Sequence, residues 1–107
     1  MSTAPKSQIL KLAEMVSYQE GSVVSRQITK ANAGNVTLFA FDAGQELSEH
    51  TASFDALAHI LEGKAEIHIS GKPYMLDAGE AIIIPANETH AVKAVQRFKM
   101  LLTMIRA

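Results

Sequence analysis

Residues 56–84 read ALAHILEGKAEIHISGKPYMLDAGEAIII, and this stretch decides the fold class. Within it, apolar and polar side chains alternate over residues 65–69, a two-residue period typical of β-strands with one buried face. Gly63, Gly71 and Gly79 interrupt the apolar segments at intervals too short for helices. The stretch therefore predicts short strands connected by turns.

The same period continues on both sides, from Ser22 to Ile105. Segments of β-branched and aromatic residues are separated by turn residues, such as those at 32–35. Glu62 and Gly63 fall between two predicted strands and indicate a tight hairpin with the glycine at positive φ. The series of about eight short strands favours an all-β sandwich or barrel. It includes residues 23–28, 36–41, 56–61, 65–69, 81–84, 90–95 and 98–105.

Only the N-terminal stretch over residues 7–16 departs from this pattern. Its apolar side chains recur at helical spacing, and Gly21 follows as a plausible stop. We therefore predict one short N-terminal helix that covers an open side of the barrel or a partner subunit. The apolar stripe comprises Ile9, Leu12, Ala13 and Val16.

The composition indicates one globular domain spanning residues 1–107. The net charge is -1, and scattered lysines and arginines form no basic stripe, so nucleic acid is not an expected partner. The chain has no cysteine, no 18-residue apolar run and no signal-like N-terminal segment. We therefore expect a cytoplasmic protein that does not contact membranes.

Two strands are apolar at consecutive positions, over residues 82–84 and, with Thr103 as the exception, 100–105. A strand of this kind needs cover on both faces. Since the chain is short, a second subunit is the expected cover for one face, and we predict a homodimer.

Three residues in the middle of the chain match a known family motif in type and spacing. Gly44, His50 and Gly63 stand at the spacing G-x5-H-x12-G. They resemble the first motif of the cupin superfamily, G-x5-H-x-H-x3-E-x6-G. The resemblance implies a double-stranded β-helix, the jelly-roll barrel of single-domain cupins, here preceded by the short N-terminal helix.

The second cupin motif, G-x5-P-x-G-x2-H-x3-N, is matched by Gly79, Pro85 and His90. Asn87 takes the inner glycine position and Ala94 the asparagine position. Because asparagine tolerates left-handed backbone better than most residues, we expect the turn at position 87 to survive. The two motifs together span residues 44–94.

In the first motif, Ala52 replaces the second histidine and Ala56 replaces the glutamate. The resemblance thus implies a metal site that has lost two of its four ligands. His50 and His90 remain, and by position they are expected to point into the barrel. Two imidazoles rarely hold a divalent metal tightly, so the cofactor is unknown, and a weakly bound divalent metal on these two histidines is one expectation.

The predicted ligand-binding residues combine the surviving histidines, the two alanines and nearby aromatic rings. The short alanine side chains leave a less polar cavity that an organic ligand, or the ring of Phe54, can fill. The set is His50, His90, Phe54, Phe41, Ala52 and Ala56. Further candidates for lining an apolar pocket are Phe39, Phe98, Met75, Met100 and Met104.

Four further side chains are candidates for completing the site. His59 lies three positions after Ala56, so alternation places it on the opposite face unless a bulge intervenes. Glu46 and Glu49 belong to the loop before the strand. Asp55 precedes the empty glutamate position and turns inward only if the register changes.

Two functions fit these residues, and no catalytic residue is assigned. The first is a binding protein whose barrel holds a small organic molecule against His50 and His90. The alternative is a metal-dependent cupin enzyme of isomerase or oxygenase type that uses the same two histidines. A purely structural barrel, with the pocket closed by side chains, is the third possibility.

Overall fold

The computed structural model describes residues 3–106, and strands account for most of this range. The expected all-β fold of about eight strands is confirmed. The strands are β1 (Val23–Ala31), β2 (Gly34–Phe41), β3 (Glu46–His50), β4 (Phe54–Ile69), β5 (Lys72–Asp77), β6 (Ala81–Ile84), β7 (His90–Lys93) and β8 (Phe98–Arg106).

Strand β4 holds the two sides of the barrel together. The strand order is β1-β2-β8-β4-β7-β3, and β5 and β6 also pair with β4. The first half of β4 pairs with β6 and β8, and its second half pairs with β5 and β7. This one strand of 16 residues therefore belongs to both walls.

The predicted hairpin at residues 62–63 is wrong, because β4 runs through it. The register against β8 shifts between Ile60 and Glu62, which marks a bulge. Before the bulge the even-numbered positions are buried, and after it the odd-numbered positions are, beginning with Ala65. The glycine does have the expected positive φ, 80° at Gly63, but it serves this bend within a strand.

The predicted N-terminal helix is reduced to a 3₁₀ turn over Leu12–Glu14. The preceding residues include a turn at positions 6–7 but no helix, and the backbone N–H of Ala4 donates to the carbonyl oxygen of Ile28 at 2.8 Å. Val16 is buried, and Leu10 packs beside it against β1 and β2. The sheet thus covers Val16 and Leu10 without a helix, whereas Ile9 is 97% exposed. A helix of this length has little stability of its own.

A network around Tyr18 fixes the N-terminal segment to the barrel. The Tyr18 hydroxyl donates to a carboxylate oxygen of Glu62 at 2.7 Å. The Arg97 guanidinium and the Lys99 ammonium lie 5.0 and 5.2 Å from the centre of the tyrosine ring. Asp42 in turn accepts from Arg97 Nε at 2.8 Å.

The barrel interior is filled mainly from β2, β4 and β8. At its centre the rings of Phe41 and Phe98 stack with centroids 4.5 Å apart, and both side chains are fully buried. A second apolar cluster, which includes Leu38, lies between the outer face of the sheet and the N-terminal segment. One face of β8 is therefore covered by the chain itself.

Part of the outer face remains uncovered. Leu57, Ile83 and Ile105 lie on neighbouring strands, and the side chain of Ile83 is 65% exposed. The homodimer stays a prediction, and these side chains mark the surface on which its interface is expected. Between residues 3 and 106, no helix is long and apolar enough to cross a membrane.

Candidate functional site

Strands β3 and β7 bring the two predicted histidines together. His50 and His90 are direct partners across this antiparallel pair, and their ring centroids lie 4.2 Å apart with an edge-to-face orientation. His90 is buried, whereas His50 is exposed at the end of its strand. Both rings line the same cavity in the barrel, with His50 at its solvent side.

The backbone fixes the tautomer of both rings. The Nδ1 atom of His50 lies 2.7 Å from the carbonyl oxygen of Ser48, and that of His90 lies 3.2 Å from the carbonyl oxygen of Glu88. Since a carbonyl oxygen can only accept, each Nδ1 carries the hydrogen. In the neutral rings, the free lone pair is therefore on Nε2.

The environment of His90 favours its neutral form. Burial lowers the pKa of His90 below its ordinary value, and the neighbouring His50 ring lowers it further. The hydrogen bond to the Glu88 carbonyl acts in the opposite direction but is the smaller effect. At neutral pH the buried ring thus presents an acceptor and no charge.

The cavity has a volume of about 230 Å³, and its wall is apolar apart from the two imidazoles. Ala52 and Ala56 both line it, as predicted from their positions in the first motif. Because their side chains end at Cβ, the volume that longer side chains would fill stays open. The lining residues are Phe39, Leu47, His50, Ala52, Ala56, Ile84, His90, Val92, Met100, Leu102 and Met104.

The two aromatic rings of the predicted site do not line this cavity. Phe41 is fully buried in its stack with Phe98. Phe54 lies at the start of β4, where the Arg106 guanidinium is 5.3 Å from the centre of its ring. Phe39 lines the cavity instead, two positions before Phe41 on the same strand.

None of the four side chains considered for completing the site reaches the cavity. His59 alternates with the buried positions of β4 and lies on the outer face. Glu46 and Glu49 line a separate groove outside β3. The Asp55 carboxylate accepts the backbone N–H of Ala86 at 2.8 Å and is exposed.

Sequence reasoning missed four lining residues, which are Leu47, Ile84, Val92 and Leu102. Alternation supplies a signal for two of them. Val92 follows His90 by two positions, and Leu102 lies midway between Met100 and Met104, so each shares a face with a lining residue. Because β8 is apolar on both faces, the sequence does not show which face points inward.

The turn before β7 keeps the geometry of the second motif despite its altered sequence. Asn87 has a φ of 68°, so it adopts the left-handed backbone expected at a glycine position. Its N–H donates to the carbonyl oxygen of Ala52 at 2.7 Å. This bond joins the turn to the loop between β3 and β4, at the side of the cavity.

The donor set does not fit the metal centre that the resemblance implies. Within residues 3–106, no group of three or more histidine or carboxylate side chains is placed to hold a metal ion. Two imidazoles remain, whereas protein sites for first-row metals ordinarily supply at least three donors.

Comparisons with known proteins agree with this fold. Residues 37–105 match the family described as the cupin domain. A conserved Streptococcus pyogenes protein of unknown function superposes with a TM-score of 0.91 at 33% identity, over 100% of this chain and 96% of that one. A cupin superfamily protein from Desulfitobacterium hafniense gives 0.90 at 28% identity, over 99% and 97%.

A cupin conserved barrel domain protein from Leptotrichia buccalis is 38% identical, with a TM-score of 0.87 over 90% of this chain. This chain spans only 47% of that protein. The search of curated proteins gave no match.

Proposed function

This chain belongs to the cupin family, and from that premise we propose that it is a binding protein whose barrel holds a small organic molecule against His50 and His90. The observation that carries the proposal is the cavity, an apolar chamber with both imidazoles in its wall. Ligand sites commonly combine apolar walls with a few polar groups that orient the ligand. This cavity has that composition.

The size of the chamber supports a ligand of a few atoms more than benzene. A dry apolar cavity of about 150 Å³ is enough to hold benzene in another protein. The chamber here is about 230 Å³. A single ring with a short substituent is therefore a suitable occupant.

The alanines support binding over metal catalysis. Ala52 and Ala56 enlarge the chamber where the superfamily places metal ligands, and they offer no donor atom. A metal-dependent isomerase or oxygenase would have to rely on two imidazoles alone. The proposal for this chain therefore contains no metal-dependent step.

The test is methyl NMR with toluene as the probe, on protein labelled at alanine and methionine methyl groups. We expect saturable shifts at Ala56, Met100 and Met104, which line the chamber. Met75 is exposed on the outer surface and serves as the internal control. Shifts equal to those at Met75, or none, would contradict the proposal.

A matched variant strengthens the experiment. Ala56→Leu fills part of the chamber from the inward face of β4, and we expect it to weaken toluene binding at least tenfold. Leu57→Ala changes the neighbouring residue, whose side chain lies on the outer face. We expect this second variant to bind toluene as the wild type does.

A further inference from the structure

The surface of the chamber is apolar even where the two histidines contribute to it. His50 and His90 are the polar side chains of the wall, yet almost none of the surface that faces the chamber belongs to nitrogen or oxygen atoms. A ligand in the chamber therefore meets both imidazoles mainly through the carbon atoms of their rings.

The polar atoms behind this surface already have partners. The Nδ1 atoms of His50 and His90 are hydrogen-bonded to the carbonyl oxygens of Ser48 and Glu88. Among the buried side chains of residues 3–106, no nitrogen or oxygen atom lacks a hydrogen-bond partner. The buried part of the wall thus needs no polar group from a ligand to complete its hydrogen bonds.

From this we propose that the chamber takes a neutral hydrocarbon or thioether, about the size of one alkylated ring, that carries no hydrogen-bonding group. The inference rests on the proposed function and deepens it, because it assigns a chemical class to the ligand. Removal of the apolar surface of the ligand from water supplies the binding free energy. The chamber selects its ligand by size and by the lack of polar groups.

A hydroxyl group on the same ring skeleton is a disadvantage in this chamber. On entry the hydroxyl leaves its hydration shell, and the wall offers almost no nitrogen or oxygen surface to replace the lost hydrogen bonds. A hydroxyl that is buried without a partner carries a cost in free energy. Phenols and benzyl alcohols should therefore bind more weakly than hydrocarbons of the same shape.

A charged group fits the chamber still less. The described residues that line it include no lysine, arginine, aspartate or glutamate. An ion that enters would lose its hydration without gaining an opposite charge. Glu46 and Glu49, which precede His50 on β3, line the separate groove outside this strand.

Two methionines suit the wall to an apolar ligand. Met100 is buried and Met104 is half-buried, and both line the chamber. A methionine side chain is unbranched and adaptable, and its sulfur makes favourable contacts with aromatic rings. The wall can therefore adjust to ring substituents of slightly different length.

The experiment compares two pairs of probes in which a methyl group replaces a hydroxyl group. The pairs are toluene with phenol and ethylbenzene with benzyl alcohol, titrated into the full chain and followed by methyl NMR. For the wild type we expect each hydrocarbon to bind roughly fivefold to a hundredfold more tightly than its alcohol, which is the usual effect of burying one unpaired hydroxyl. Alcohols that bind as tightly as the hydrocarbons would overturn the proposal.

The variants His50→Leu and His90→Leu test whether an imidazole bonds the ligand. Because the proposed ligand receives no hydrogen bond from these rings, the ratio of toluene affinity to phenol affinity should stay within about twofold of the wild-type ratio. The ratio is the measurement, since leucine also changes the volume of the chamber and thereby both affinities. A ratio that rises further in either variant would show that an imidazole bonds the phenol hydroxyl and would contradict the proposal.

Val92→Thr supplies the polar group that the wall lacks. Val92 is buried and lines the chamber, and threonine has nearly the same shape but carries a hydroxyl. We expect the preference for toluene over phenol to fall roughly threefold to tenfold, the net effect of one hydrogen bond. Val24→Thr makes the same exchange on β1, where Val24 packs against the N-terminal cluster, and should keep the wild-type preference. An unchanged preference in Val92→Thr would mean that it does not arise from the apolar wall.

The outcomes separate the two proposals. If the hydrocarbons bind but have no advantage over the alcohols, the proposed ligand class is wrong while the binding chamber stands. If none of the four probes shifts the lining methyls, the proposed binding function itself is contradicted.

Discussion

The imidazole rings of His50 and His90 lie 4.2 Å apart because their backbones are direct partners across β3 and β7. One ring is exposed and the other is buried. Burial lowers the pKa of His90, and the His50 ring beside it acts in the same direction. The neutral form of His90 is therefore favoured in the folded protein at neutral pH.

The first prediction concerns pH and the free energy of unfolding. Burial, with His50 nearby, lowers the pKa of His90 in the folded state. In the unfolded chain a histidine titrates near its ordinary value of about 6.5. Between these two pKa values the unfolded state binds more protons, so stability is full above about pH 7 and falls as the pH decreases toward the lowered pKa.

Urea unfolding of the wild type and of His90→Leu across this pH range measures the effect. The slope of stability against pH should be shallower in the variant. The variant His59→Leu removes a histidine from the outer face of β4 and controls for histidine number. Equal slopes for the wild type and His90→Leu would show that His90 does not cause the pH dependence.

The second prediction tests the bend in β4. Gly63 has a φ of 80°, and a Cβ there would overlap the carbonyl oxygen of Arg97 and lie 2.7 Å from the Cα of Phe98. Both contacts are to backbone atoms just before and at the start of β8, and these atoms cannot move without disturbing the pairing of β8 with β4. We expect Gly63→Ala to lower the free energy of unfolding by about 2 to 5 kcal/mol, from backbone strain and overpacking together.

Gly44→Ala is the matched control, since Gly44 has nearly the same φ, 82°, with no atom within 4 Å of an added Cβ. Only the backbone penalty applies there, about 1 to 2 kcal/mol. Urea denaturation of both variants compares the two positions. Similar losses would mean that the contact with Arg97 and Phe98 does not constrain the bend.

The strand periodicity was sufficient to predict the fold class, because alternation within β4, as at residues 65–69, indicates one buried face, and turn residues separate the other apolar segments. It did not predict that β4 continues through Gly63. A glycine at positive φ is common to hairpins and to bulges, and only the pairing partners distinguish the two. The helical spacing of Ile9 and Val16 misled for a different reason. The sheet buries Val16 without a helix, and Ile9 remains exposed.

Four of the six residues predicted to bind a ligand line the cavity, namely His50, Ala52, Ala56 and His90, and all four were chosen from the motif spacing. Their positions follow from backbone geometry that the two motifs encode. The aromatic residues were chosen on size alone, and size does not indicate whether a ring stacks in the core, as Phe41 does, or faces a cavity. That distinction depends on which strands lie opposite, and those strands are distant in sequence.

The third prediction concerns the attachment of the N-terminal segment. Asp42 accepts a hydrogen bond from Arg97 Nε at 2.8 Å and one from the backbone N–H of Gly21 at 2.7 Å. The hydrogen bond from Arg97 is the larger cause of the lowered pKa of Asp42, and the N–H of Gly21 adds to it. In the unfolded chain the aspartate carboxyl has a pKa of about 3.9. The stabilisation by Asp42 is therefore present above that pH and is lost as the pH falls through the lowered pKa of the folded state.

We expect Asp42→Asn to reduce stability at neutral pH and to flatten the acid limb of the stability profile, both measured by urea unfolding. Asp77→Asn is the control, because Asp77 is exposed and lies 3.7 Å from Lys64 in a solvated ion pair. Its loss should change stability by no more than about 0.5 kcal/mol. An acid limb that is unchanged in Asp42→Asn would contradict the assignment.

The fourth prediction restores the missing donors. Ala52 and Ala56 line the same chamber as the two histidines, so Ala52→His and Ala56→Glu together would place four donors around one space. The wild type, incubated with Mn²⁺ or Zn²⁺ and desalted, should retain sub-stoichiometric metal by mass spectrometry. The double variant should retain one ion per chain, because four nitrogen and oxygen donors are an ordinary protein site for such ions.

The control for added charge combines Ala52→His with Leu57→Glu, which puts the carboxylate on the neighbouring position of β4 but on its outer face. This variant supplies the same residue types, yet its carboxylate points away from the histidines, and we expect it to retain less metal than the double variant. Stoichiometric metal on the wild type that disappears in His50→Ala would reverse the conclusion. Two imidazoles would then suffice for this barrel, and the metal-dependent enzyme would become the better hypothesis.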